Sequence, residues 1–309
     1  MTAIGDLTRP GPPHRRLGRP QAKGDRTVAS VAFLIALWLS LLVALTFLVT
    51  LLVTTFLDGL VRLDANLLTQ YSSQLFPERA GARAAILGTL WVIGTTIVLT
   101  VPLGVSAAIY LEEFGDPSKW YFRLVELNIQ NLAAVPSIIY GLLTLGVASV
   151  LAPLLGLRNV NAVIFGAIAL TLLILPVVII ATRESLRAVP AEIRAGSLAL
   201  GATPWQTVWR QTLPAAVPGI ATGTILAVSR AIGEAAPLLL LGAYVFVTFD
   251  PNGLFSSFTT MPVQIYNWTS QPQIEFQQVA SAGIILLLFM LLLLNGVAIL
   301  IRNKLQRRW

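Results

Sequence analysis

Residues 159–182 read NVNAVIFGAIALTLLILPVVIIAT, a stretch of 24 residues without a charged side chain. A helix needs about 20 apolar residues to cross the hydrocarbon core of a bilayer. Four other uncharged stretches reach that length, at Val28–Leu57, Ala84–Leu111, Leu127–Leu157 and Phe276–Ile301. A sixth, Ala215–Ala243, contains only Arg230 and Glu234 as charges. None alternates as a membrane β-strand does, so the predicted fold class is all-α and polytopic, with six transmembrane helices.

The composition excludes a water-soluble enzyme. Hydrophobic residues make up 56% of the chain and charged residues 11%, and the mean hydropathy is +0.78; soluble domains carry about a quarter charged residues. The chain has no cysteine and one histidine, His14, so we expect no disulfide, thiol chemistry or metal site. The net charge of +7 arises from basic residues near both chain ends, which membrane topology explains better than a nucleic-acid partner.

The ends of the chain predict its orientation. Residues 1–27 contain six Arg and Lys among Gly and Pro, which is typical of a disordered basic tail that stays in the cytoplasm. The first span, residues 28–57, is too long for a secretory signal and is expected to remain uncleaved. Residues 302–309 carry four basic residues, and an even number of spans places this end in the cytoplasm too. Residues 244–275 contain no Lys or Arg, as expected for an outside loop.

The segment between the fourth and fifth spans, Arg183–Pro214, is too polar for lipid and predicts two short helices. Pro190 suits the first position of a helix, and Ala191–Leu200 contains good helix formers. Gly201 is expected to stop that helix in the left-handed conformation.

The second short helix is predicted at Pro204–Thr212, with Thr203 as its cap. Its spacing places three bulky residues on one face, Trp205, Val208 and Trp209, and Leu213-Pro214 is expected to end it. Two interpretations remain open. The pair is either an interfacial hairpin with its tryptophans at the lipid headgroups, or a rigid element presented to a cytoplasmic partner.

Three stretches resemble known permeases. Residues 198–208, LALGATPWQTV, with Leu213-Pro214 following, resemble the cytoplasmic EAA loop of ABC importer permeases, which has a central glycine and closes with Leu-Pro. Residues 134–141, AVPSIIYG, and residues 230–239, RAIGEAAPLL, resemble the PstA-type permeases of bacterial phosphate-specific ABC importers. The resemblance covers roughly Ala84–Ile301.

This resemblance implies a type I ABC importer permease fold, with residues 84–301 as a core of five spans and residues 190–213 as a segment that couples to a separate ATPase. It assigns coupling to eight residues: Glu192, Ala195, Gly201, Ala202, Thr203, Trp205, Leu213 and Pro214. The EAA loop has an acidic residue where this chain has Ala195, and Glu192, one turn earlier, is the candidate substitute. Because the chain lacks a Gly-x-x-x-x-Gly-Lys-Ser/Thr loop, we expect a transport subunit without catalytic residues or a cofactor.

Arg230 and Glu234 are the candidate substrate-pathway charges. They are four residues apart, on one helical face, and lie near the middle of the fifth span, where each charge costs about 2.5–3.5 kcal/mol. They form either a structural ion pair or part of the translocation route, in which Arg230 attracts an oxyanion with its fork of donors and Glu234 orients or releases it. Ser137 and Tyr140 are further pathway candidates through their hydroxyl groups.

The leading hypothesis is half of the translocation pathway of a bacterial importer of inorganic phosphate. The implied partners are a second homologous permease, two copies of a cytoplasmic ATP-binding subunit, a periplasmic or extracellular phosphate-binding protein and membrane lipids, without nucleic acid. The expected location is the bacterial cell (inner) membrane. The alternatives are a permease for another oxyanion such as sulfate, molybdate or a phosphonate, a self-sufficient secondary carrier or channel, and a non-transporting scaffold or sensor.

Overall fold

The computed structural model describes residues 28–116, 118–157, 160–243 and 246–305. The predicted basic tail, residues 1–27, and the last four residues lie outside this described part. The chain divides into two compact units, residues 1–52 and 53–309. Six of the described helices are long and apolar enough to cross a membrane, which confirms the all-α, six-span prediction.

The first membrane helix, α1, is Val28–Leu60, and it begins in the first unit and ends in the second. Its sequence is apolar around the whole circumference, which is the pattern of a helix surrounded by lipid or by other membrane helices. It ends three residues beyond the predicted Leu57, because Asp58, Gly59 and Leu60 complete its last turn.

After α1, the second unit contains eleven described α-helices, which form five segments long and apolar enough to cross a membrane together with shorter helices. In chain order they are α2 (Ala65–Thr69), α3 (Arg83–Ile109), α4 (Trp120–Ala133), α5 (Ser137–Leu154), α6 (Val163–Arg187), α7 (Ala191–Ala199), α8 (Pro204–Thr207), α9 (Leu213–Ile232), α10 (Ala236–Leu240), α11 (Met261–Thr269) and α12 (Glu275–Leu305). A π turn, Tyr110–Phe114, extends α3, and a second, Val208–Thr212, joins α8 to α9. Helix α6 is central: it packs against α3, α4, α5 and α9, and 14 of its 25 residues are buried.

The third span is not the single helix predicted at Leu127–Leu157. It consists of α4 and α5, which are separated at Ala134–Pro136. Proline cannot donate a backbone hydrogen bond, and its ring disfavours helical geometry in the residue before it. Pro136 therefore ends one helix and caps the next.

The fifth span also differs from the prediction of one helix over Ala215–Ala243. Helix α9 ends at Ile232, and the short helix α10 begins only at Ala236. Gly233 is a poor helix former, and Pro237 occupies the first turn of α10, where proline is tolerated. A continuous helical segment thus gives way to a break at Gly233–Ala235.

The prediction that Leu213-Pro214 ends the second short helix is wrong. The chain stays helical from Pro204 to Ile232. Pro214 removes one backbone donor and crowds the preceding turn. The wider π turn, closed by the Leu213 N–H donating to the Val208 carbonyl, accommodates the proline without stopping the helix.

Close packing sets the register between α6 and α9, which run antiparallel. Gly219 lies directly against Ser185, and Gly223 lies against Ala181, so that a side chain at either glycine would collide with α6. Small residues allow membrane helices to approach in this way. Continued along both helices, the same register places Arg230 level with Ile174, next to the midpoint of α6.

Candidate translocation and coupling sites

In the helix pair between α6 and α9, the first helix and the turn that follows it agree closely with the sequence prediction. Helix α7 ends at Ala199, and Gly201 has a φ of +85°, as expected for a left-handed stop. The Gln206 N–H donates to Thr203 Oγ1 at 3.2 Å, and the Thr203 N–H donates to Gln206 Oε1 at 3.0 Å. This reciprocal capping box confirms Thr203 as the cap of α8. Pro190 is the residue before α7, one position earlier than predicted.

The exposed face of the pair is aromatic. The Trp205 and Trp209 rings are 5.4 Å apart, and Phe114, from the π turn after α3, lies 5.9 Å from Trp205. Val208 does not belong to this face, contrary to the prediction. It is buried in an apolar cluster beneath the pair, against which Leu213 packs, because the π turn directs it toward the bundle.

A groove of about 400 Å³ separates α7 from α8. Glu192, Ala202 and Arg210 are among the residues that line it, and the Ser197 and Thr207 hydroxyl groups, 2.9 Å apart, join the two helices. The remaining predicted coupling residues Ala195 and Pro214 are exposed. The position at which the EAA loop carries its acid thus faces solvent, with Glu192 one turn away.

A cluster of ion pairs at the same end of the bundle was missed by sequence reasoning. Glu112 accepts from Arg187 Nε at 2.7 Å and from Arg183 Nε at 3.1 Å. Arg183 also pairs with Glu126 at 3.1 Å, and Glu113 pairs with Arg194 at 2.8 Å. We call these six residues the coupling-end cluster: Glu112, Glu113, Glu126, Arg183, Arg187 and Arg194. Its signal in the sequence was the opposite sign of the net charges of residues 112–126 and residues 183–214.

The cluster also fixes the register of α4 against α6. The Glu126–Arg183 pair is followed, one turn further along each helix, by Ile129 and Ile179 in a shared apolar cluster. Continued in the same antiparallel register, the break at Ala134–Pro136 lies level with Ile174. This is the level already found for Arg230, so both helix breaks lie at the mid-depth of α6.

Packing confirms that the two breaks are neighbours. One apolar cluster contains Tyr140, Ile174 and Ile232, and the break residues Val135 and Ala235 pack against it. Gly141 of α5 also touches Pro237 of α10: a Cβ on this glycine would be 2.7 Å from the Pro237 Cα. Discontinuous helices that meet near the midplane are a recurrent way to build transport sites.

The two breaks share a short sequence pattern, Ala-x-Pro-x-x-x-x-Gly. It occurs as Ala134, Pro136 and Gly141 in the first and as Ala235, Pro237 and Gly242 in the second. The pattern is recognisable once the structure aligns the breaks. The charges belong to the second break only, because Arg230 and Glu234 have Ile129 and Ala133 as their counterparts.

Arg230 and Glu234 lie at the end of α9 and not in the middle of a continuous helix as predicted. Their single contact, Arg230 Nε to Glu234 Oε1, is 3.4 Å long. The Arg230 side chain is 51% exposed and that of Glu234 is 20% exposed. Ile174, at the same level, is nine residues from Arg183, or about 14 Å along the helix, which is close to half of a hydrocarbon core of about 30 Å.

The hydroxyl candidates lie at the other break. Ser137 is the first residue of α5 and is half-buried. Tyr140 is buried, and its hydroxyl donates to the Leu132 carbonyl at 2.6 Å. Leu132 is in the last turn of α4, where its carbonyl also accepts from the Val135 N–H at 3.1 Å, so Tyr140 bridges the break and adds a second hydrogen bond to that carbonyl.

The broken, centrally packed bundle with a helix pair between its fourth and fifth spans defines an ABC importer permease fold of type I. A chain in the crystal structure of a bacterial alginate ABC transporter in complex with alginate pentasaccharide-bound periplasmic protein matches 89% of this chain over 96% of its own length, with a TM-score of 0.59 and 18% identity. That likeness establishes the fold.

Sequence comparison establishes the family. Residues 100–309 match the family described as "Binding-protein-dependent transport system inner membrane component". The phosphate transport system permease protein PstA 1 of Mycobacterium tuberculosis is 35% identical over 76% of this chain and 74% of its own. The PstA protein of Yersinia pestis is 34% identical over 86% and 87%. The chain belongs to this family of binding-protein-dependent inner membrane components, and it is a multi-pass transport subunit.

Proposed function

We propose that the chain is the transmembrane permease subunit of an ATP-driven importer of inorganic phosphate and forms half of the translocation pathway. The observation that carries this proposal is the meeting of two helix breaks at mid-depth beside a half-exposed Arg230. An arginine facing lipid at that depth costs about 2.5–3.5 kcal/mol. The exposed side of Arg230 therefore faces a water-filled path or a second protein.

The geometry of Arg230 suits an oxyanion. A guanidinium carries five donors in a planar fork that matches phosphate oxygens. Glu234 engages only Nε, at 3.4 Å, so the terminal nitrogen atoms stay available to a ligand. Phosphate as the cargo is supported by the relatives named phosphate transport system permeases.

The helix pair α7–α8 is proposed to be the contact with the ATPase. It presents a rigid, capped and partly aromatic surface at the end of the bundle. Glu192 lines the groove within this surface and supplies the negative charge that Ala195 lacks. Gly201 and Thr203 fix the turn between the helices and thereby the shape that the ATPase recognises.

The proposed assembly contains this chain, a second homologous permease, two ATP-binding subunits and a periplasmic or extracellular phosphate-binding protein in the bacterial cell (inner) membrane. We propose that residues 1–27 and residues 302–309 are basic cytoplasmic ends. The span at residues 28–57 then precedes a permease core, residues 84–301, that contains the coupling segment 190–213.

Reconstitution tests this proposal. Proteoliposomes that contain the chain, the second permease and the ATPase should take up phosphate when ATP and the phosphate-binding protein are supplied, and should not when either is omitted. Liposomes that contain this chain alone should take up none. Uptake by the chain alone would favour a secondary carrier, and uptake of sulfate or molybdate alone, with the matching binding protein, would favour another oxyanion.

A further inference from the structure

Arg194 of α7 has the densest set of polar contacts at the coupling end. Its guanidinium donates to Glu113 Oε1 at 2.8 Å and to Glu113 Oε2 at 3.4 Å. It also donates to the Leu186 carbonyl at 2.7 Å and to the Val189 carbonyl at 2.8 Å. The Arg194 side chain is 26% exposed and that of Glu113 is 10% exposed, so water weakens these contacts little.

These contacts join three elements through one side chain. Leu186 is in the last turn of α6, where its carbonyl also accepts from the Val189 N–H at 3.2 Å, and Val189 lies two residues beyond the end of that helix. Glu113 lies in the π turn that extends α3. Arg194 therefore holds α7 to the ends of α3 and α6 at once, and α7 is joined to α8 through Ser197 and Thr207.

The two clamped helices are those that support the mid-depth breaks. α3 and α6 run parallel, with Gly104 against Val178 and Glu112 paired with Arg183. Val92 and Ile93 of α3 and Ile174 of α6 belong to the apolar cluster on which both breaks pack. A movement of α7 that displaces α3 and α6 together would therefore also displace the apolar cluster that packs beside Arg230.

We propose that Arg194 is the positioning residue that transmits movement of the helix pair α7–α8 to α3 and α6, with Glu113 as its partner. The proposal rests on the proposed function for the source of that movement, an ATPase docked on the pair. A lysine at position 194 keeps the charge but, as a compact ammonium, cannot reproduce the planar fork that spans two carboxylate oxygens and two carbonyls.

The first test uses the assembled transporter carrying Arg194→Lys or Glu113→Gln. Both variants should retain the ATPase subunit on purification and should still hydrolyse ATP. The amount of phosphate moved per ATP should fall by about tenfold, which is within the usual range of coupling between sites. Arg187→Lys is the matched control, because Arg187 belongs to the same cluster but contacts no residue of α7 in the described contacts, and its ratio should stay near that of the wild type.

The second test does not depend on the cargo. Because the chain has no cysteine, spin labels can be attached at Ser106→Cys, on the exposed side of α3, and Leu200→Cys, at the end of α7. In the wild-type background the distance between the labels should stay narrowly distributed with and without nucleotide. In the Arg194→Lys background, nucleotide should broaden or shift the distribution of distances between the two labels.

Two results would overturn the proposal. One is a parallel loss of hydrolysis and uptake in Arg194→Lys, with the amount of phosphate moved per ATP unchanged. The other is a label distance that responds to nucleotide in the same way in both backgrounds. If the wild-type assembly failed to move phosphate at all, the proposed function would fall, while the label distances would still decide whether Arg194 joins α7 to α3.

Discussion

Charged side chains at two depths of the molecule differ in how closely they are paired and how far they are buried. In the coupling-end cluster, each carboxylate meets at least one guanidinium within 3.1 Å, and Arg183, Glu112 and Glu113 are largely buried. At mid-depth, Arg230 and Glu234 share one contact of 3.4 Å, and half of Arg230 is exposed. The first arrangement satisfies its charges internally, whereas the second leaves donors free.

We interpret this difference as a structural use of charge in the first case and, on the proposed function, a functional use in the second. A paired cluster holds helix ends together because removal of one member leaves another charge buried without a partner. An arginine at mid-depth with free donors gains no such stabilisation, and on the proposed function its cost is offset by binding an anion.

The largest effect is expected for Arg230→Gln. Loss of two charge-assisted hydrogen bonds to an anion, at about 1.5 kcal/mol or more each, should lower phosphate uptake by about 100-fold or more. The protein should still insert and assemble. Uptake assays with size-exclusion profiles measure both, and Arg83→Gln, which breaks the exposed Arg83–Asp250 pair, should leave uptake within about twofold.

Glu112→Ala should have the opposite effect to Arg230→Gln, because its main consequence should be a loss of stability. It leaves Arg183 and Arg187 without their shared carboxylate, and we expect a loss of about 3 kcal/mol of stability, seen as a lower unfolding temperature in detergent. Glu184→Ala is the control, because Glu184 is 65% exposed and contacts Arg187 at 3.4 Å, so its loss should cost less than about 1 kcal/mol. Equal losses of stability in the two variants would show that burial does not determine how much an ion pair of this cluster contributes to stability.

Gly141→Ala tests the contact between the two breaks. The new methyl group would lie 2.7 Å from the Cα and carbonyl oxygen of Pro237, and the displacement of α10 should cost about 2 kcal/mol and reduce uptake. Gly146→Ala in the same helix meets no atom within 4 Å. It should be neutral or slightly stabilising, and a matching loss at both positions would rule out the close approach as the cause.

The smallest effect is expected at the turn between α7 and α8. Gly201 has a φ of +85° with open space around it, so Gly201→Ala should cost about 1 kcal/mol by strain alone. Its consequence should be a weaker retention of the ATPase, measured by co-purification at increasing salt. Gly146→Ala, in the helical geometry of α5, away from the pair and also in open space, is the control and should retain the ATPase as the wild type does.

The sequence predicted features that depend on local chemistry. The six spans, the left-handed stop at Gly201 and the cap at Thr203 are all encoded within a few residues. The two breaks were not predicted as helix ends because the sequence stays predominantly apolar on both sides of Ala134–Pro136 and of Gly233–Ala235, and hydropathy cannot distinguish a helix from a bend. Pro214 was misjudged for a related reason: a π turn lets a helix continue through a proline.

The individual ion pairs of the coupling-end cluster could not be predicted from the sequence for a different reason. Glu112 and Arg183 are 71 residues apart, and Glu113 and Arg194 are 81 residues apart. Only the packing of α3 against α6 brings them together. The spacing of Arg230 and Glu234 was correct as a local pair, but their position at a helix end depends on the unforeseen break.

The central claim is that the break beside Arg230 opens to water in the assembled transporter. Gly233→Cys tests it directly, because Gly233 is exposed, has an ordinary negative φ and offers ordinary contact distance for a side chain. The account predicts that a membrane-impermeant thiol reagent labels this cysteine, that phosphate and ATP change the rate, and that Leu292→Cys, exposed on α12, resists labelling. A cysteine at position 233 that reacts no faster than one at position 292 would contradict the account.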